Sequence, residues 1–217
     1  MRNNWNIRKM LKISLYILFL TLCWLLYKFI IITNLKNEWL DIATLIFFGI
    51  IILVITVILS IIKEDSLKEA LGFKKVKLTT IVNWLASFLT VAFLIVPAII
   101  MIFRLKGSNY ATEIYASSFN VFLTLLKTAI LVPILEELIF RGLLYYLLEK
   151  VHVVMYILVS SAIWSVLHVQ YDLFIILTIF VYGIIWGVAR VNSKSIYPPI
   201  IMHSVYNLII SLFVMMG

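Results

Sequence analysis

Long apolar runs decide what this chain can fold into. They recur at about 10–33, 42–62, 80–103, 119–149, 151–169, 171–189 and 196–215. A helix rises 1.5 Å per residue, so about 20 apolar residues cross a hydrocarbon core of roughly 30 Å. In that medium every backbone N–H and C=O must find its partner within the protein, which an α-helix achieves by itself. The pattern therefore predicts an all-α, polytopic membrane helix bundle of about seven transmembrane helices. Composition agrees: 64% of the residues are hydrophobic, against roughly 45–50% in soluble domains. No polar stretch is long enough to fold alone. The chain divides into 1–118, with about three spans and their loops, and 119–217, a helical core of about four.

The formal net charge is +8. Most Lys and Arg fall in loops or at helix ends, where they set topology and meet anionic lipid. No basic run with interleaved aromatics stands outside the lipid zone, so the bilayer is an expected partner and nucleic acid is not. Cys23 is the sole cysteine, which excludes an internal disulfide and a Cys-based zinc site. The N-terminus, MRNNWNIRKMLKI, is basic and leads into an apolar run without a small-residue cleavage site, and reads as a retained first span. Arg2, Arg8, Lys9 and Lys12, then Lys63, Lys68, Lys74, Lys75 and Lys77, flank a 34–41 loop holding Lys36, Glu38 and Asp41. By the positive-inside rule the N-terminus is cytoplasmic. The alternation puts Lys150, Arg190 and Lys194 inside and the C-terminus outside, with Arg104 and Lys106 as exceptions. The 63–79 stretch reads as a solvated connector in preference to a short amphipathic helix.

Few ionisable groups remain within the spans: Lys28, Lys127, Glu136, Glu137, Arg141, His168 and His203. Lys28 and Lys127 can snorkel or pair locally. A charge near a bilayer centre costs about 2.5–3.5 kcal/mol on insertion scales, so such groups face the bundle interior and mark function by default. Glu137 and Arg141 are i,i+4 and can neutralise each other. Glu136 is turned about 100° away and is left over. Trp164 and His168 are i,i+4, as are His203 and Asn207, while Pro133 and Pro198–Pro199 loosen the backbone nearby. If helix 119–149 overhangs the cytoplasmic interface by about 10 Å, Glu136, His168, His203 and Asn207 lie roughly 10, 17, 8 and 14 Å into the membrane, one common layer.

A buried carboxylate beside an imidazole can activate water: the carboxylate takes the proton and the His orients the pair. A second His with an amide donor suits an oxyanion, and together these hydrolyse an amide. Glu136, His168 and His203 also form a recognised zinc-ligand set, although HExxH is absent. A proton or ion relay is a third chemistry open to membrane Glu and His.

Glu136-Glu137-x-x-x-Arg141, then Ser160-Ser161-x-x-Trp164-x-x-x-His168, then Pro198-Pro199-x-x-x-His203-x-x-x-Asn207 resemble the CPBP (Abi) family over about residues 119–210. That family contains type II CAAX prenyl proteases and bacterial relatives linked to bacteriocin self-immunity and peptide processing. The resemblance implies an intramembrane endopeptidase acting on a peptide or membrane-protein segment. In it Glu136 is the base, His168 helps to activate water, and His203 with Asn207 forms the oxyanion site. Glu137 and Arg141 support the helix. Trp164 replaces the usual Phe, keeping aromatic bulk but narrowing the cavity. The resemblance favours a metal-free glutamate mechanism over zinc held by Glu136, His168 and His203. A base buried in lipid must still be ionised, so a cationic neighbour is expected to offset its desolvation. The alternatives are a non-enzymatic bacteriocin-immunity or binding protein on the same scaffold, and a transporter, for which no inverted repeat is visible.

Overall fold

The computed structural model describes residues 42–47, 49–50, 66–103, 120–148 and 152–216, and every regular element among them is helical. The expected first span with Cys23 and Lys28, most of span 42–62, and Arg104 and Lys106 lie outside the described residues. Six helices are used below. They are α1 (Leu67–Leu71), α2 (Leu78–Thr90, continuing through Val91–Ile95 and Val96–Phe103), α3 (Val121–Leu125 through Leu144–Leu148), α4 (Val153–Val166), α5 (Leu173–Ser193) and α6 (Tyr197–Met216). Among the described residues three helices are long and apolar enough to cross a membrane: Leu78–Ile102, Leu173–Ser193 and Tyr197–Met216.

α3 starts where Asn120 Oδ1 accepts the Leu123 N–H at 3.1 Å, an N-cap contact. It runs unbroken from Val121 to Leu148 but is not regular, because Leu126–Leu131 and Leu138–Leu143 are π-helical. Pro133 has no N–H for the residue 129 carbonyl, and the first π-turn lies just before it. The second π-turn begins immediately after Glu136 and Glu137 and contains Arg141. Pro198 and Pro199 fall in the first turn of α6, where N–H groups lack intrahelical partners anyway. They therefore start this helix and do not loosen it.

Two further expectations are corrected. The 66–72 stretch is not a solvated connector. Ser66 and Glu69 form a capping box, Gly72 ends the turn at φ 77°, and Ala70 and Leu71 are buried. Leu71 Cδ2 would lie 3.1 Å from a Cβ placed on Gly142, so α1 docks on α3. The expected helix 151–169 is α4, which has only 14 residues and ends at Val166. His168 is the reason: its Nδ1 lies 2.8 Å from the Trp164 carbonyl, taking the acceptor that the next turn would use. Its backbone N–H turns to Ser165 O instead.

α4 packs mainly on α5, and small residues let them approach. A Cβ at Gly183 would meet Ser161 Cβ at 2.9 Å and its Cα at 3.1 Å, whereas one at Gly187 would meet only the Ile157 side chain at 3.3 Å. Phe88 of α2 closes the core by edge contacts with Tyr182, Trp186 and Tyr206. The two glycines should thus respond differently. Gly183→Ala is expected to destabilise by about 1–3 kcal/mol, the usual range for overpacking, and Gly187→Ala by less. Thermal unfolding in detergent, followed by tryptophan fluorescence, checks the order.

Candidate active site

α3 supplies three charged groups within two turns, all buried: Glu136, Glu137 and Arg141. The i,i+4 pairing is present, with Arg141 Nη1 3.3 Å from Glu137 Oε1. Arg141 Nη2 also donates to the Gly183 carbonyl on α5 at 3.0 Å, and its guanidinium carbon lies 5.1 Å from the Trp164 ring centroid.

α6 brings His203 against both carboxylates. Its Nδ1 is 3.1 Å from Glu137 Oε1, and its Nε2 is 3.8 Å from Glu136 Oε2. Ionised Glu137 only accepts, so Nδ1 carries the proton and Nε2 is the atom turned to Glu136. The Trp186 ring stacks on His203, with centroids 4.3 Å apart and planes at 26°. From α4, Trp164 Nε1 donates to Glu136 Oε2 at 2.7 Å. The same residue's carbonyl accepts from His168 Nδ1, which by the same logic leaves the lone pair of neutral His168 on Nε2. The Trp164 ring stands edge-on to both imidazoles, 5.2 Å from His168 and 5.5 Å from His203.

Glu136, Glu137, Arg141, Trp164 and His203 therefore meet in one buried cluster, with His168 at its edge and only partly buried. Asn207 contacts α3 two turns earlier, its Nδ2 donating to the Thr128 carbonyl at 2.9 Å. One of its amide hydrogens is committed to that helix contact. Among the described residues no group of three His, Cys, Asp or Glu side chains is placed to hold a metal ion. Beside Glu136 stands the basic Nε2 of His203 at 3.8 Å, while Arg141 is paired with Glu137.

Sequence reasoning missed two residues. Arg190, read as a cytoplasmic topology charge, is buried. Its Nε donates to the Arg141 carbonyl at 2.7 Å, and its guanidinium carbon lies 4.1 Å from the Tyr145 ring centroid. Trp186 was not singled out. The available signal was their common face with Gly183 and Gly187: 183, 187 and 190 recur at three- and four-residue steps, with Trp186 beside them.

Residues 117–209 match the family model described as Rce1-like, type II CAAX prenyl endopeptidase Rce1-like. This agrees with the resemblance carried by the three motifs, and the segment contains every site residue named above. A protein of Escherichia coli described as an uncharacterized 24.3 kDa protein is 29% identical over 128 residues, 56% of this chain and 59% of that protein. The chain thus matches about three fifths of the length of this curated relative. No solved structure matches.

The ion pair makes a sharp stability prediction. Arg141→Met strands a buried carboxylate and should cost about 3–5 kcal/mol. Adding Glu137→Gln to that variant should recover part of the loss, because the two charges couple directly. Folded yield and thermal midpoint of the two single variants and the double variant in detergent measure the coupling.

Proposed function

With the Rce1-like match over residues 117–209 as premise, we propose that this protein is an intramembrane endopeptidase that hydrolyses a peptide bond with glutamate-activated water. The observation that carries this reading is the buried Glu136 carboxylate, 3.8 Å from His203 Nε2 and hydrogen-bonded by Trp164 at 2.7 Å. Glu136 takes a proton from water as the oxygen attacks the scissile carbonyl, and later passes it to the leaving amine. His168, with its lone pair on Nε2, accepts the other water hydrogen and orients the attack. His203, held at Nδ1 by Glu137, presents Nε2 to the oxyanion. Asn207 adds its second amide hydrogen. Among the described residues Trp186 Nε1 is buried without a hydrogen-bond partner, and it is a further donor for a substrate oxygen. The substrate is a peptide or membrane-protein segment reaching the site from the cytoplasmic side or laterally from lipid.

Peptide termini in membranes and medium, compared between cells carrying wild type and Glu136→Gln at equal abundance, test the reading. New termini are expected with wild type alone. Unchanged termini in cells where Glu136→Gln keeps the full biological effect would replace the protease with a binding or immunity role. Cleavage of a substrate so found should survive excess chelator. Loss that zinc restores would instead make the enzyme a metalloprotease.

A further inference from the structure

Glu136 is a buried carboxylate next to an ion pair whose donors point elsewhere. Arg141 donates to Glu137 and to the Gly183 carbonyl, and His203 donates from Nδ1 to Glu137. The short contact on Glu136 comes from a neutral residue, Trp164, at 2.7 Å. That length is typical of a hydrogen bond to an ionised acceptor. An indole N–H donates and cannot accept, so Oε2 must present a lone pair in this arrangement.

Trp164 sits well for such a task. It is 3% exposed and lies in the last turn of α4. Its ring is wedged against Trp186 at 4.9 Å and the two imidazoles. The indole pins one end of the site while the carbonyl of the same residue holds His168 by Nδ1. One residue thereby orients a carboxylate on α3 and an imidazole beyond α4.

We propose that Trp164 is the positioning residue of this site: its N–H fixes Oε2 of Glu136, so that Oε1 is the oxygen that takes the proton from water. This rests on the reading of Glu136 as the base. A phenyl ring at 164 fills much of the same volume but has no donor, and removes this hydrogen bond from Oε2.

Three variants of the full-length protein in detergent test the proposal. Trp164→Phe should lower kcat by about 10- to 100-fold, the range expected for a lost hydrogen bond to a charged group, with KM changed less than about threefold. Replacing Trp164 with 3-benzothienylalanine, which keeps the bicyclic shape and lacks the N–H, should give the same split and separates the donor from the packing. An activity-independent readout follows the indole NMR signals of 15N-tryptophan-labelled protein. The cross-peak missing in Trp164→Phe should move upfield in Glu136→Gln. Wild-type kcat in the benzothienyl protein would overturn the proposal, as would an indole signal indifferent to Glu136→Gln. A responsive indole signal in a wild-type protein that cleaves none of its candidate substrates would overturn the catalytic reading beneath it while the contact itself stood.

Discussion

The Glu137 carboxylate, buried and shared between Arg141 and His203, is the contact on which the rest of the site depends. Oε1 receives Arg141 from its own helix at 3.3 Å and His203 from α6 at 3.1 Å. Arg141 continues to α5 through the Gly183 carbonyl, and its own carbonyl receives Arg190. Three helices are thus tied through one charged node. Such a node is unfavourable to bury, because several kcal/mol of desolvation accompany each ion before attraction compensates. Among the described residues two buried carboxylates, Glu136 and Glu137, are accompanied by two buried guanidinium groups, Arg141 and Arg190.

Aromatic packing around this node gives it chemical leverage. Trp164, Trp186, Phe88, Tyr182 and Tyr206 form a connected set of edge and tilted contacts. They keep the local dielectric low, which strengthens every interaction among the charges inside. The same packing explains why α4 and α5 carry glycine and serine where they cross. Ser161 and Gly183 lie in near contact, which brings the backbone carbonyl of residue 183 within reach of Arg141. The π-turn over Leu138–Leu143 changes the helical register directly after the two glutamates, a common device at functional sites.

Much of this was legible in the sequence, for physical reasons that differ from residue to residue. Glu137–Arg141 could be read from spacing because both partners lie on one helix, where i,i+4 fixes their separation. The helical class followed from apolar runs because lipid leaves the backbone no other partner. His203's bond to Glu137 could not be read that way, since it joins residues 66 apart in the chain. Nor could the burial of Arg190: near a helix end a lone Arg looks like a topology signal until α1 and α3 cover it. The end of α4 at Val166 was hidden for a local reason, because His168 looks like one more helical residue unless its ring captures the Trp164 carbonyl.

By itself the sequence determined a membrane helical bundle, the charged residues inside it and the pairing available along α3, because composition and helical period act over short separations. Tertiary structure alone decided which carboxylate His203 grips, that Trp164 contributes a hydrogen bond as well as bulk, and that Asn207 bonds Thr128. Those contacts depend on how α3, α4 and α6 are rotated and how closely they approach, which the packing of small and aromatic residues between helices sets.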